Sequence, residues 1–334
     1  GMKLKEYAEI LAFIEKEKFS SKIANQLKSA LHHGNENSSK TLKRLGGLVE
    51  TFDNRLNLVV NILLNGLFLW DFHCIRRLEK WKNRHRDSIA HWFSSINQFD
   101  AYISLANFNF NYPENCTPVF SDDDTFLHTE NMGHPLIDPG ELVRNDFFMV
   151  DNNFIIITGA NMAGKSTFLR MAGINLVLAM AGANVCADQF VFKPVKLFTS
   201  MRTSDSLQKN ESYFYAELKR LKDLLELIKK DKEVMIILDE ILKGTNSEDK
   251  QKGSKMFLDQ LVTRNTTGII ATHDLSLAAM EEKHPGKIKN MCFEIEIEGA
   301  NIHFDYKLKN GVTRKMNASI LMEQMGLLEA PRNS

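Results

Sequence analysis

Apolar residues recur with a helical period through the first third of the chain. Prolines are scarce between Lys3 and about Asn107, and one helical stripe collects Ile89, Trp92, Phe93, Ile96 and Phe99. This pattern predicts an all-α helical domain. The most apolar stretch, LVVNILLNGLFLW at 58–70, is shorter than a membrane span and is interrupted by asparagines and a glycine. We therefore expect a buried helix there and no membrane segment.

The rest of the chain changes to short β-branched runs separated by helical patterns. The clearest runs are 154–157, 234–238 and 268–271. Such alternation predicts an α/β fold with a parallel-rich sheet and flanking helices. A proline-bearing segment, NYPENCTPVF at 111–120, separates the two patterns. We predict a helical domain over 1–110 and an α/β domain over 111–334.

The first β-branched run leads into a loop with a glycine at each end. FIIITGANMAGKST matches G-x-x-x-x-G-K-[ST] in the strand–loop–helix context that this phosphate-binding motif requires. In such a loop the backbone N–H groups surround phosphate oxygens, Lys165 faces the β and γ phosphates, and the Ser166 hydroxyl serves Mg²⁺. The predicted cofactors are ATP and Mg²⁺. The predicted nucleotide-binding loop comprises Gly159, Ala160, Asn161, Met162, Ala163, Gly164, Lys165, Ser166 and Thr167.

Polar residues end the other two runs. VMIILDE ends in Asp239 and Glu240, at the edge of an α/β sheet where ligands bind. Asp239 suits the metal shell, and Glu240 suits polarising an attacking water. GIIATHD carries His273, which could reach a γ phosphate. A lone histidine is more often structural, but its place at the end of a strand favours the functional interpretation.

A helix with a polar start precedes the acidic strand. NESYFYAELKRLKDLLELIKK places Leu218, Leu221, Leu225 and Ile228 on one face. The polar start of this helix has no role within a single nucleotide site. It is either a functional segment that acts elsewhere or a solvated helix cap.

Charge and cysteine content narrow the function only slightly. The 42 basic and 42 acidic side chains cancel, so no net field indicates nucleic acid, although a local basic stripe could exist within a neutral total. The four cysteines are far apart and form no C-x-x-C pair. This usage predicts unpaired thiols and a cytoplasmic protein.

Taken together, these motifs resemble the ATPase core of the MutS family of DNA mismatch-repair proteins. TGANMAGKST resembles the family's TGPNMGGKST, LDEILKGTNSED its MDEIGRGTSTYD, and ATHDLSL its ATHYFEL. NESYFYAEL lies where the family has GRSTFMVEM. GHPLI at 133–137 and KNGVTRKMNASILMEQMGL near the end resemble further family segments, so the resemblance covers about 99–328.

The resemblance implies an Mg²⁺-dependent P-loop ATPase of the ABC type that works as a homodimer with composite ATP sites. In each site the phosphate loop of one subunit would face the signature helix of the other. By this carry-over Ser212 touches the γ phosphate in trans, Asn161 helps to hold the attacking water, and His273 is the γ-phosphate switch residue. The adenine would pack near Leu142 and Val143, although apolar residues there could simply be core.

The resemblance also implies a function coupled to DNA. The helical domain would correspond to lever helices, and the family's mismatch-reading domain is absent from this chain. Two basic clusters of the helical domain could be solvated faces or phosphate contacts; they comprise Lys40, Lys43, Arg44, Arg76, Arg77, Lys80, Lys82, Arg84 and Arg86. ATP hydrolysis coupled to binding of mismatched or unusual DNA in repair is the expected function. The alternative is an ATP-driven clamp or scaffold that binds protein or membrane partners.

Overall fold

A computed structural model describes residues 2–33, 36–53, 62, 65–201, 213–231, 233–298 and 301–313. The chain divides into two compact units, 1–107 and 108–334. Ser212 of the predicted signature helix and most of the closing segment that resembles the MutS family lie outside the described residues.

The first unit is built mainly from helices. Its helices are α1 (Met2–Lys16), α2 (Lys22–Ser29), α3 (Ser38–Asp53) and α4 (Trp70–Asn111), of which α4 continues into the second unit. The predicted stripe is confirmed, because Trp92, Ile96 and Phe99 are buried in the core of this unit. The prediction of an exclusively helical domain is wrong in one detail. β1 (His32–His33) and β2 (Glu36–Asn37) form a two-residue antiparallel pair.

A carboxylate on α1 holds the start of α3. Glu15 accepts hydrogen bonds from the Ser38 hydroxyl at 2.8 Å and from the Ser39 N–H at 3.1 Å. The first N–H groups of a helix have no partner within the helix, and the positive end of the helix dipole also stabilises a negative charge there. Glu15 therefore fixes where α3 begins.

The expectation of a buried helix over 58–70 is wrong for the described residues. Residues 65–68 are helical, but Leu67, Phe68 and Leu69 are 73%, 62% and 69% exposed. The helical period alone cannot tell a core-facing stretch from an uncovered one. No helix among the described residues is long and apolar enough to cross a bilayer.

A six-stranded sheet forms the centre of the second unit. Its order is β12-β11-β6-β10-β9-β8, and β12 is antiparallel to β11 whereas the other neighbours are parallel. The strands are β6 (Phe154–Gly159), β8 (Lys196–Ser200), β9 (Val234–Asp239), β10 (Thr267–Thr272), β11 (Ile288–Glu298) and β12 (Asn301–Asn310). The three predicted β-branched runs are thus confirmed as β6, β9 and β10, every residue of which is buried.

Helices cover both faces of this sheet. They are α5 (Lys165–Met180), α6 (Tyr213–Lys230), α7 (Ser247–Thr263), α8 (Leu275–Ala278) and α9 (Met280–Lys283). Alternate residues of a strand face opposite sides, so Ile155 and Ile157 join a core with α5, whereas Phe154 and Ile156 join a core with α6 and α7. The predicted α/β class with flanking helices is confirmed at this level.

A second, four-stranded sheet was not predicted. Its order is β3-β7-β4-β5, with β3 (Val119–Phe120), β4 (Thr125–Met132), β5 (Asn145–Val150) and β7 (Gln189–Phe192). β5 alternates buried and exposed residues, which is typical of a strand with one face in the core. Its polar alternation is a weaker sequence signal than the continuous apolar runs of β6, β9 and β10.

Candidate functional site

Three neighbouring strands bring the predicted motifs to one edge of the central sheet. β10 lies between β6 and β9 and is parallel to both, so the carboxyl ends of all three strands meet there. Gly159 ends β6, Asp239 ends β9 and Thr272 ends β10. The loops after these strands therefore converge, although β9 and β10 end 80 and 113 residues after Gly159.

The loop after β6 has backbone angles that few residues tolerate. Met162 has a φ of 67° and Gly164 a φ of 107°. A Cβ at Gly164 would also lie 3.1 Å from Cδ1 of Tyr306, so glycine suits this position on both counts. The Lys165 ammonium donates to the carbonyl oxygens of Gly159 at 2.7 Å and Ala160 at 2.8 Å. These bonds hold the ammonium at the loop.

Lys165 is 6% exposed, and its environment lowers the pKa of its ammonium. Burial lowers the pKa of its ammonium, and the carboxylates of Glu240 and Asp239 offset only part of this effect. A buried cation beside two carboxylates and facing a cavity is well placed to receive an anionic group.

The predicted metal pair is assembled. The Ser166 hydroxyl donates to Oδ2 of Asp239 at 2.7 Å, and Asp239 is 9% exposed. Mg²⁺ is commonly held by one or two protein oxygens, with phosphates and waters completing the octahedron. The absence of a group of three or more His, Cys, Asp or Glu ligands among the described residues is therefore compatible with Mg²⁺. The residues present fit this ion.

Glu240 is hydrogen-bonded to His273. Nδ1 of His273 lies 2.9 Å from Oε1 of Glu240, and Nε2 lies 3.4 Å from the Lys250 ammonium. With a proton on Nδ1, the ring donates to the Glu240 carboxylate. Burial raises the pKa of Glu240, but the His273 hydrogen bond and the charges of Lys243 and Lys250 outweigh burial, so the pKa is lowered overall. Glu240 is held as a carboxylate.

A cavity of about 480 Å³ begins at this edge and extends away from it. Loop residues line part of it, among them Asn161, Lys165 and Ser166, together with Glu240. Apolar and aromatic side chains also line it, namely Ile137, Leu142, Val143, Phe293 and Tyr306. The two residues predicted near the adenine therefore line the same cavity as the phosphate loop. A cavity that combines a charged and an apolar lining can hold a nucleotide.

His273 does not line this cavity. It lines a neighbouring, more open cavity of about 610 Å³ with Lys243, Lys250 and Asp274. Its connection to the first cavity is the hydrogen bond to Glu240.

Several lining residues were not predicted from the sequence. Phe293 lies on β11 and Tyr306 on β12, more than 120 residues after the loop. Asn145 connects β12 to β5, because its amide donates to the Tyr306 carbonyl at 3.1 Å and its oxygen accepts from the Leu308 N–H at 2.7 Å. The alternating pattern of β11 and β12 could have indicated strands, but no local signal places Tyr306 at the loop.

Gly133, the first residue of the GHPLI segment, has a packing role beside the cavity. A Cβ at Gly133 would lie 2.7 Å from Cδ2 of Leu142, so only glycine lets Leu142 pack where it lines the cavity. The next residue, His134, also lines the cavity. Burial, reinforced by the charge of Arg170, lowers the pKa of His134 and keeps its ring neutral.

Comparison with known proteins gives consistent results. MutS domain V matches residues 155–328. The DNA mismatch repair protein MutS of Thermotoga maritima is 31% identical over 237 residues, which cover 69% of this chain and 29% of the relative. MutS of Protochlamydia amoebophila is 30% identical over 251 residues, covering 72% and 28%. Human MutS protein homolog 4 is 27% identical over 243 residues, covering 68% and 25%. The chain spans less than a third of the length of each of these relatives.

Proposed function

The chain belongs to the MutS family, and on that premise we propose that its second unit binds ATP with Mg²⁺ and hydrolyses it. The observation that carries this proposal is the hydrogen bond between Ser166 and Asp239, with Ser166 and Glu240 lining the same cavity. A hydroxyl and a carboxylate for the metal, a buried lysine and an ionised base are the parts that phosphoryl transfer to water requires.

Each side chain has a separate role in this proposal. Lys165 provides positive charge to the β and γ phosphates, and Ser166 and Asp239 hold Mg²⁺. The bound ion supplies neutralisation of the phosphate oxygens. Glu240 orients the attacking water and accepts its proton. Its lowered pKa keeps it ionised but makes it a weak base, so its contribution depends on a fixed position. Fixed geometry therefore matters more here than basicity.

The apolar lining of the cavity suits the base of the nucleotide. Leu142 and Val143 provide aliphatic surface, and Phe293 and Tyr306 provide aromatic surface. Aromatic rings prefer offset stacking or edge contacts with other rings, and both are available to a purine. We propose that adenine packs against these residues.

We further propose that the ATPase is an ABC-type homodimer. Ser212 would contact the γ phosphate of the partner's nucleotide, Asn161 would help to hold the attacking water, and His273 would sense the γ phosphate through Glu240. The support for the first role is the resemblance of NESYFYAEL to the family's signature helix, since Ser212 lies outside the described residues. The support for the third role is the hydrogen bond between His273 and Glu240.

The relatives from Thermotoga maritima and Protochlamydia amoebophila are named for DNA mismatch repair, and we propose a DNA-linked role for this chain in which nucleotide state acts on the helical unit. Several basic side chains of that unit lie on α4 and are exposed, and of these Arg84 pairs with Glu36 and Lys82 with Glu79. The second candidate, a clamp for protein or membrane partners, is favoured by the exposed Leu67, Phe68 and Leu69.

Calorimetric titration with ATP and Mg²⁺ tests the nucleotide site. We expect saturable, Mg²⁺-dependent ATP binding that Lys165→Ala abolishes, because the buried cation beside the loop carbonyls is lost. Lys222→Ala, an exposed lysine on α6, is the matched control and should bind as the parent does. Unchanged ATP binding by Lys165→Ala would refute the proposed site.

Duplex binding measured at two salt concentrations separates the DNA role from the clamp. A DNA role predicts weak binding by this chain, about 10⁻⁴ M or poorer at physiological salt, that strengthens as salt is lowered and shows no mismatch preference. No binding at low salt would favour the clamp.

A further inference from the structure

The short loop after β9 has a backbone that L-residues rarely adopt. Glu240 has a φ of 53° and Leu242 a φ of 59°, both in the left-handed region. Non-glycine residues remain there only when neighbouring groups hold them in place. The contacts that hold this loop therefore determine where the Glu240 carboxylate points.

Hydrogen bonds fix both ends of the loop. The Glu240 N–H donates to the carbonyl oxygen of Ala271 on β10 at 2.9 Å. The Leu242 N–H donates to Oε1 of Glu217 at 2.6 Å, and the Lys243 N–H donates to Oε2 of Glu217 at 3.0 Å. A single carboxylate on α6 thus accepts from two successive backbone donors. Charge-assisted bonds of this kind are among the stronger hydrogen bonds in proteins.

The two hydrogen bonds to the loop account for the burial of the Glu217 carboxylate. Only 4% of its surface is exposed, and burial raises the pKa of its carboxyl against the lowering effect of the Leu242 and Lys243 N–H groups. A buried carboxylate is costly unless its oxygens are paired, and here both are paired with the loop. Replacing it would leave two donors without an acceptor.

Close packing removes the space in which the loop could shift. A Cβ at Gly244 would lie 2.8 Å from Cβ of Phe214, which is on α6 near Glu217. A Cβ at Gly253 of α7 would lie 2.7 Å from Cδ1 of Leu242. The loop is therefore in contact with α6 and α7, and a displacement of α6 must displace the loop.

The same loop places a positive charge at the base. The Lys243 ammonium lies 3.8 Å from Oε2 of Glu240, while the backbone N–H of Lys243 is held by Glu217. The position of Glu217 is therefore linked to that of Glu240 through a strained backbone and through one ion pair.

We propose that Glu217 is a positioning residue for Glu240, fixing the loop that aims the general base at the attacking water. The proposal rests on the proposed function, because it takes Glu240 as the base. Glu217 lies five residues after Ser212, so the carboxylate also joins the helix that would contact the partner's nucleotide to the base of its own subunit. Glu217 acts in cis on the Glu240 of the same chain.

Steady-state kinetics of Glu217→Gln test the proposal. The amide keeps the length of the side chain but presents an NH₂ group to one of the two N–H donors. We expect kcat to fall about 10- to 100-fold, as for a modest misplacement of a catalytic group. KM for ATP should stay within about twofold, because the phosphate loop is untouched. Glu226→Gln, an exposed glutamate on the same helix, is the matched control and should keep the parental kcat.

Glu217→Asp covers the case in which the glutamine variant does not fold. It keeps the charge but shortens the reach by one methylene, so its kcat should lie between those of the parent and of Glu217→Gln. Circular dichroism and the melting temperature check that each variant is folded. A parental kcat in a folded Glu217 variant, or a raised KM with unchanged kcat, would overturn the proposal.

Mixed dimers test whether Glu217 acts in cis. An excess of Lys165→Ala, or of the double variant Lys165→Ala with Glu217→Gln, is added to the parent chain. The two mixtures should hydrolyse ATP at equal rates, because the working site uses the parent's own Glu217 and Glu240. A slower rate with the double variant would show action across the dimer and contradict the cis assignment. A parent chain without ATPase activity would refute the proposed function itself, whereas an active parent with a parental Glu217→Gln refutes only this inference.

Discussion

Glu240 keeps its negative charge in a partly buried site because His273 donates a hydrogen bond to it. Burial alone would favour the protonated acid, which cannot accept a proton from water. The ionised form also contributes stability above the unfolded-state pKa of the carboxyl, and that contribution is lost as the pH falls through the lowered folded-state pKa. The charge of Glu240 thus depends on His273, which lies just after the neighbouring strand β10.

The pH profile of kcat tests whether His273 lowers the pKa of Glu240. In His273→Ala the hydrogen bond is lost, burial dominates and the pKa of Glu240 rises, so the acidic limb of the profile should move to higher pH. His284→Ala is the matched control, since His284 bonds Asp259 elsewhere in the unit, and its limb should not move. Profiles recorded from about pH 3 to 8, a range that includes the ordinary glutamate pKa of about 4.3, locate both limbs independently of any change in the plateau rate. An acidic limb at the parental pH in His273→Ala would contradict the assigned role.

Sequence reasoning proposed the site residues that local motifs contain, and the structure brings them together. Lys165, Ser166, Asp239 and Glu240 were predicted because each motif combines a strand, a turn and a reactive side chain over a few positions. Glu217 was not singled out, because a glutamate in an amphipathic helix resembles any solvated one. Its acceptor role appears only when α6 is packed against the loop after β9.

At the scale of elements, the position of β10 between β6 and β9 determines the site. β10 supplies the Ala271 carbonyl that accepts from the Glu240 N–H, and it leads into His273. It also lies between β9 and β6, so the ends of these two strands are separated by the width of one strand. Apolar continuity predicted all three strands, but strand order is a long-range property that the pattern does not contain.

The buried face of α6 was also only partly predicted from the sequence. The predicted face included Leu218, which is 41% exposed, and omitted Leu224, which is fully buried.

A glycine in β10 allows this close arrangement of strands. A Cβ at Gly268 would lie 2.5 Å from Cζ of Phe154 and 2.9 Å from the carbonyl oxygen of Ile236. Gly268→Ala should therefore destabilise the second unit by about 1–3 kcal/mol, the usual effect of overpacking. Gly173→Ala on α5 meets only ordinary contacts from 3.4 Å, and it should be neutral or stabilising by up to about 1 kcal/mol. Urea denaturation compares the two, and equal stability would contradict the packing argument.

At the scale of the whole molecule, the proposed site takes its phosphate loop, metal pair and base from one chain and its γ-phosphate contact from a second chain. ATP would then promote association, because both surfaces share the γ phosphate. This arrangement is a prediction of the family resemblance.

Complementation between two inactive variants tests the composite site. Ser212→Arg should bind ATP but fail to complete its partner's site, whereas Lys165→Ala loses its own site and keeps its signature helix. Each should be nearly inactive alone, and mixtures should regain activity through heterodimers with one working site. ATPase rate is measured against mixing ratio, with light scattering to confirm dimers. A near-zero rate at every ratio despite proven heterodimers would show that Ser212 does not act in trans.

The central claim is that this cavity hydrolyses ATP with Glu240 as the base, and single-turnover hydrolysis by Glu240→Gln tests it most directly. ATP binding should remain, because Lys165, Ser166 and Asp239 are unchanged, while the rate constant for hydrolysis should fall about 10²- to 10⁴-fold, the usual contribution of a positioned base. Glu248→Gln, which changes a glutamate in the exposed first turn of α7, controls for the loss of a charge. Hydrolysis by Glu240→Gln at the parental rate, with ATP bound, would contradict the account.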